Sequence, residues 1–337
     1  MLKQLAEKDL LRLLERIAAR RRLLTPQRQS DGSQLLLPWP GGLPELAGTP
    51  LQRKPTEVFF PQLELLMELD NSGDVRLPVP ADKPVALLGL DHFDLAGIAF
   101  LDRFFLSRPI DDAYLRRRHD ALLIGLSGLT GPQGATLPPA ETCDLELIIV
   151  PDKLLARPHA KPGEALLEGF TAADPAALRT IDRSPAERPA TLLAAARLLQ
   201  EDQVPEAFWE EIAARCIACG GCNFACPTCS CFGVQDRTFG NRTERSRLWD
   251  SCQLDAFMRE AGGHNPLGTE TLRTRRRVYH KLVADPLRWG ELGCVACGRC
   301  DRACPTGIGI LALCEELVQR YGPSSVPPAP QEGCKST

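Results

Sequence analysis

The sequence predicts an α+β protein, with a mixed α/β N-terminal domain followed by an α-helical domain that carries the cysteines. Three observations lead there. Short apolar runs at residues 85–90, 121–125 and 145–150 have strand length and composition, and they share the first half of the chain with helix-periodic segments. Of 14 cysteines, only Cys143 precedes Cys216, so the second half is set apart by composition. Helical patterns at 205–215, 271–283 and 310–321 flank the cysteine motifs.

In chain order, Leu2, Leu5, Leu10, Leu13, Leu14 and Ile17 recur at helical spacing, which predicts an amphipathic helix over 2–24. Pro38, Pro40, Pro44, Pro50 and Pro55 forbid a long helix or a central strand, so 36–55 is expected to be a loop or extended arm. The run 85–90, the turn Asp91-His92-Phe93-Asp94 and the periodic segment 95–106 read as strand, turn and helix. The glycine-rich stretch 125–134 lacks nucleotide-loop spacing and reads as a loop. Residues 172–200 are alanine-rich with scattered prolines and suit short connecting helices. This places a boundary near 200, with domains at 1–200 and 201–322 and a flexible tail at 323–337.

Composition excludes several classes. The chain of 337 residues is 44% hydrophobic and 25% charged, which is ordinary for a globular protein, and its formal charge of -3 gives no reason to expect nucleic acid. Charges within the first ten residues leave no apolar signal region, and no run of 18 apolar residues offers a membrane span. Arg20-Arg21-Arg22 is followed by polar residues and reads as a basic helix end, not an export signal. A cytoplasmic protein is expected, and in a reducing compartment clustered cysteines are metal ligands or reactive thiols before they are disulfides.

The chemistry lies in a repeat. Cys216-x-x-Cys219-x-x-Cys222-x-x-x-Cys226-Pro227 recurs as Cys294-x-x-Cys297-x-x-Cys300-x-x-x-Cys304-Pro305. This is the spacing in which three thiolates of a tight loop hold one [4Fe-4S] cluster and the fourth reaches the other cluster. From that motif class the expected ligands are Cys216, Cys219, Cys222 and Cys304 for cluster one, and Cys294, Cys297, Cys300 and Cys226 for cluster two. Paired CxxC elements also bind zinc, but a zinc ribbon uses two cysteines per knuckle, whereas each motif here offers four with a terminal Cys-Pro. Sixty-seven residues separate the motifs, and helices are expected to fill that gap. Between Arg237 and Arg288 eleven basic residues face six acidic ones. This excess would offset the negative charge of thiolate-bound clusters, or else form a solvated helix face. Cys229, Cys231 and Cys252 form an additional group that would serve a third iron–sulfur cluster or pack as small apolar residues. Cys143, Cys314 and Cys334 are isolated and expected to be ordinary thiols, and His264 in Gly262-Gly-His-Asn-Pro266 is expected in a turn. No dinucleotide fingerprint, phosphate loop, catalytic triad or zinc-protease pattern is present. An electron carrier without a substrate site of its own is expected, and a structural metal-binding scaffold is the alternative of another class.

The motifs also carry a family resemblance. Arg215-Cys-Ile-Ala-Cys-Gly-Gly-Cys222, Cys226-Pro-Thr-Cys-Ser-Cys-Phe232, Trp249-Asp-Ser-Cys252, Ala261-Gly-Gly-His-Asn-Pro266, Arg275-Arg-Arg-Val-Tyr-His-Lys281 and Cys294-Val-Ala-Cys-Gly-Arg-Cys300 resemble the iron–sulfur β subunit of cytoplasmic NAD(P)-linked [NiFe] hydrogenases, the sulfhydrogenases. The iron–sulfur A subunit of anaerobic sulfite reductase is similar. The detailed match covers 205–320, and Thr56-Glu-Val-Phe-Phe-Pro61, the segment 89–105 and Tyr114-Leu-Arg-Arg-Arg118 follow the family in outline. The resemblance implies a dicluster ferredoxin domain, an N-terminal partner-docking domain and a heteromeric complex. Its partners would be a flavin and NAD(P) subunit and a [NiFe] or siroheme catalytic subunit. Trp249-Asp250 and Asn265-Pro266 favour the hydrogenase version. Phe93 stands where relatives carry cysteine, and 125–142 hold none, so part of any extra cluster site that those cysteines serve is missing here.

Overall fold

A computed structural model describes residues 1–46, 50–78, 83–129 and 136–323. The expected tail at 323–337 lies outside these from residue 324 on, as does Cys334. The chain forms two compact units: residues 1–187 with 220–257, and residues 188–219 with 258–337.

The first unit runs β1 (Lys3–Leu5), α1 (Glu7–Arg20), β2 (Arg22–Arg28), β3 (Gln34–Pro38), β4 (Leu63–Asp70), β5 (Val75–Arg76), β6 (Val85–Leu90), α2 (His92–Leu106), α3 (Asp112–Arg118), β7 (Leu122–Leu129), β8 (Thr136–Leu137), β9 (Leu145–Val150), β10 (Lys153–Pro158) and α4 (Lys161–Leu166). Strands β2, β6, β7 and β9 pair in parallel at the centre of a mixed sheet of order β1-β10-β9-β7-β6-β2-β3, with β8 beside β7. Both faces of the centre are covered, which is why β6, β7 and β9 are almost continuously apolar. Ala86 and Leu88 of β6 meet Leu10, Leu13, Leu14 and Ile17 of α1 in one core. Val85 and Leu87 meet Leu95, Ile98 and Leu101 of α2 in another. The helix expected over 2–24 is thus shorter and bracketed by strands. Proline-bearing β3 sits at the sheet edge, where a missing amide donor costs no ladder bond. Asp91 caps α2 by accepting from the Asp94 amide at 2.8 Å, so this helix starts three residues before its apolar periodicity. The loop expected at 125–134 is corrected: β7 extends to Leu129, and residues 130–134 lie outside the described set.

The chain continues with α5 (Ala190–Gln200), α6 (Glu206–Arg215), α7 (Gly221–Phe224), β11 (Phe232–Phe239), β12 (Arg242–Trp249), α8 (Glu270–Tyr279), a π turn (His280–Ala284), α9 (Asp285–Trp289), α10 (Arg299–Ala303) and α11 (Ile310–Tyr321). The second unit is helical among its described residues. Its core gathers Leu192 and Leu199 of α5, Trp209 and Ile212 of α6, Val278 of α8, Leu282, and Leu313 and Leu317 of α11.

The expectation of an all-helical cysteine region with helices filling the inter-motif gap is corrected. Residues 232–249 form a β-hairpin, closed by the two-residue turn Gly240-Asn241 with Gly240 at φ +60°. β12 pairs with β4, giving a four-stranded antiparallel sheet of order β11-β12-β4-β5 within the first unit. One buried cation fastens it. Arg247 of β12 is 1% exposed and reaches Glu64 of β4 and Asp111 at the start of α3, each at 2.5 Å. Its guanidinium also lies 5.1 Å from the Phe60 ring and 5.3 Å from those of Phe105 and Phe232. Arg117 makes a second ion pair to Glu64.

Glu64→Gln is expected to destabilise the chain by about 3 kcal/mol, because removal of one partner strands a buried charge. The apolar double variant Glu64→Leu/Arg247→Met should recover most of that loss in chemical denaturation.

Candidate metal centre

Both motifs build the same loop. After α6, Cys216 is followed by Ala218 at φ +52° and Gly220 at φ +73°; after Cys294, Ala296 is at φ +60° and Gly298 at φ +68°. A left-handed alanine is unfavourable by about 1 kcal/mol, so its recurrence at the same offset marks a backbone held for a purpose. Successive right- and left-handed residues turn their amides toward a common concavity that suits anions. Indeed the Ala218 amide donates to Cys216 Sγ at 3.4 Å. Gly220 and Gly298 then start the short helices α7 and α10, which carry Cys222 and Cys300.

Each motif ends in Cys-Pro-Thr. The Thr228 hydroxyl is 3.2 Å from Cys226 Sγ, and the Thr306 hydroxyl is 3.4 Å from Cys304 Sγ. The amides of Ile308 and Ile310 donate to Cys304 Sγ and Cys300 Sγ, both at 3.4 Å. Burial pushes the Cys304 thiol up, but the Thr306 hydroxyl, the Ile308 and Thr306 amides and Arg277 outweigh it and hold the group below the ordinary thiol range. Such donors favour thiolate, the form that binds iron.

In the second unit, Cys216, Cys294, Cys300 and Cys304 all border one apolar core. Among the basic residues buried there are Arg273, Arg277, Lys281 and Arg299. Arg277 donates to the Ile308 carbonyl at 2.6 Å, bracing the turn after Cys304. The π turn sets Lys281 against the entry to the second motif: its carbonyl accepts from the Gly293 amide at 2.8 Å, and its Nζ donates to the Gly293 carbonyl at 3.4 Å. Buried cations are stable only opposite negative charge: Arg273 pairs with Glu270 at 2.7 Å, and a thiolate-bound cluster would add further negative charge nearby. The basic excess read from the sequence is therefore partly interior: Arg273, Arg277 and Lys281 are buried, whereas Arg245 is half-buried and paired with Asp236 at 2.7 Å.

The first unit holds Cys222, Cys226, Cys229, Cys231 and Cys252, because the division falls between Cys219 and Gly220. Asn223 of α7 accepts from the Cys222 thiol at 3.5 Å and donates Nδ2–H to Cys252 Sγ at 3.1 Å, drawing Cys252 to the first motif. Phe224 stacks on Trp249, whose indole N–H donates to the Phe60 carbonyl at 2.9 Å. Buried Lys54 stands 3.7 Å over the same indole. Gly97 of α2 lets this helix meet the Cys-Pro corner, since an added Cβ would lie 2.6 Å from Pro227. Sequence reasoning missed Lys54, Asn223, Gly97 and Arg299. The repeated threonine of Cys-Pro-Thr was the one signal available beforehand.

The 13 described cysteines are all thiols. Burial pushes Cys143 up to about 12 and also raises Cys314, which marks both as inert packing residues. His264 lies in a turn, its carbonyl accepting from the Glu260 amide at 2.8 Å. Among the described residues no three His, Cys, Asp or Glu converge as ligands of one ion would. A cubane asks for something else, because each of its thiolates binds a different iron. Left-handed loops, sulfur-directed donors and buried cations suit that group.

Comparison with known proteins agrees. A family profile described as a 4Fe-4S dicluster domain matches residues 215–308. Over 268 residues, 71% of this chain and 75% of the relative, the sequence is 31% identical to sulfhydrogenase 2 subunit beta of Pyrococcus furiosus. The chain belongs to the sulfhydrogenase β-subunit family. It is an iron–sulfur electron-transfer subunit of the oxidoreductase class. No solved structure matches. No helix among the described residues is long and apolar enough to cross a membrane.

Gly97→Val should destabilise the chain by about 2 kcal/mol through overpacking against Pro227. Gly262→Val, with open space around it, is the control; equal chemical-denaturation midpoints for the two variants would contradict the close approach.

Proposed function

We propose that this chain relays electrons through two [4Fe-4S] clusters in a cytoplasmic complex. Cluster one takes Cys216, Cys219, Cys222 and Cys304, and cluster two takes Cys294, Cys297, Cys300 and Cys226. The observation that carries the reading is the duplicated loop, with its left-handed residues at matching positions and its hydroxyl and amide donors aimed at sulfur. When bound, such clusters accept and release single electrons. The protein's own part is to hold thiolates in fixed positions, direct donors at Cys216, Cys226, Cys300 and Cys304, and offset negative charge with Arg277, Lys281 and Arg299. One partner would be a flavin and NAD(P) subunit and the other a [NiFe] hydrogenase module, as the sequence resemblance implies; the relative's name supports a hydrogenase complex.

Anaerobically purified protein should contain about eight iron and eight acid-labile sulfide per chain. Cys219→Ser and Cys297→Ser should each lose about half of the iron, while Cys143→Ser keeps all of it. About twelve iron would assign Cys229, Cys231 and Cys252 to a third cluster, and stoichiometric zinc without sulfide would defeat the proposal. Dithionite should reduce the clusters; resistance to it would favour a structural scaffold instead. Co-purification with a siroheme protein in place of a nickel protein would move the chain to the sulfite reductase branch.

Arg277→Met should lower the reduction potential of a cluster by tens of millivolts in a spectroscopic redox titration, since a cation near a thiolate cluster favours the reduced state. Arg288→Met, at an exposed arginine beside Trp289, should leave it in place.

A further inference from the structure

Both cysteine motifs end in the same tripeptide, Cys226-Pro227-Thr228 and Cys304-Pro305-Thr306, although the residues that follow differ, Cys229-Ser230 in one and Gly307-Ile308 in the other. Each threonine hydroxyl lies against the sulfur two residues before it, at 3.2 Å for Thr228 and Cys226 and at 3.4 Å for Thr306 and Cys304. Proline has a fixed φ and no N–H, so the residue next to each cysteine cannot donate to the sulfur. The following residue can, and the β-branched side chain of threonine holds its hydroxyl in few rotamers. Thr228 is buried and Thr306 half-buried, which limits competition from water. A thiolate carries no proton to give, so against a thiolate ligand the hydroxyl is the donor. A hydrogen bond to an ionised acceptor is also roughly twice as strong as one between neutral groups.

We propose that Thr228 and Thr306 are positioning residues that set the reduction potentials of the two clusters, Thr228 through Cys226 and Thr306 through Cys304. An electron added to a thiolate-bound cluster increases the negative charge on its sulfurs, so a donor already aimed at a sulfur stabilises the reduced state more than the oxidised one. In the proposed ligand sets Cys304 serves cluster one and Cys226 serves cluster two. Each hydroxyl therefore acts on the cluster whose other three ligands come from the opposite motif. The inference rests on the relay function proposed above and deepens it, because it adds two uncharged side chains to the buried cations as groups that tune the centre.

The test is a spectroscopic redox titration of the full chain, purified anaerobically, with iron and sulfide measured on each sample. Thr228→Val and Thr306→Val should keep wild-type iron and sulfide, and each should lower the equilibrium constant for reduction of one cluster about tenfold, which is about 59 mV toward more negative potential for a one-electron couple. Thr228→Ser and Thr306→Ser keep a hydroxyl and should titrate as wild type, a rescue that separates the hydrogen bond from the packing of the side chain. Thr180→Val is the control, since the Thr180 hydroxyl donates to the Ala177 carbonyl at 2.7 Å, and it should leave both potentials in place. In Cys219→Ser protein, which retains cluster two, Thr228→Val should shift the potential and Thr306→Val should not. Wild-type potentials in the two valine variants, equal shifts in the valine and serine variants, or loss of iron from the valine variants would overturn the proposal. The reverse response in Cys219→Ser protein would overturn the crossed ligand sets and leave the hydroxyls as tuning groups, whereas wild-type protein without iron and sulfide would defeat the relay function itself.

Discussion

The buried guanidinium of Arg247 is the constraint on which the first unit's cysteine segment depends. It joins β12 to Glu64 of β4 and to Asp111 at the start of α3, inside an aromatic cage. An isolated two-stranded hairpin is marginal in water, so β11 and β12 need both the β4 ladder and this pair. The residues that follow are Trp249, Ser251 and Cys252. Trp249 stacks on Phe224 of the first motif, and Cys252 is held by Asn223. A charge buried far along the chain from its partners therefore determines where cysteines are presented.

The same physics recurs in the second unit with a different partner. Arg277, Lys281 and Arg299 are buried in the unit that carries the Cys294–Cys304 loops, where candidate thiolate ligands would add compensating charge. Carboxylate pairs stabilise the scaffold, and sulfur-directed donors tune the candidate centre. Lys54 over Trp249 places a buried cation beside the cysteine segment of the first unit as well.

Much of this was readable in advance, for physical reasons. The strands at 85–90 and 145–150 are apolar throughout because both faces of the sheet are covered, and that pattern survives in any single sequence. Helix 310–321 is found as expected. The candidate ligands were readable because iron–sulfur loops impose short, fixed spacing. The hairpin was not anticipated, although Gly240-Asn241 between alternating segments is a turn signal, because its arginines were weighed as helical charge. Gly97 and Lys54 could not have been found: a glycine in a helix and a lysine in a loop acquire meaning only from what packs on them.

By itself, then, the sequence determined the repeated cysteine motif that offers candidate ligands, the family it resembles, and that the first half is mixed α/β. These are local quantities, set by spacing and periodicity within a few dozen residues. Tertiary structure decided how the chain is partitioned, returning residues 220–257 to the first unit and exposing Ile217 while burying Val295. Strand pairing between β4 and β12 and burial of Arg247 join residues some 180 positions apart in sequence. Such contacts depend on the closure of long loops, whose reward appears only when both ends are folded.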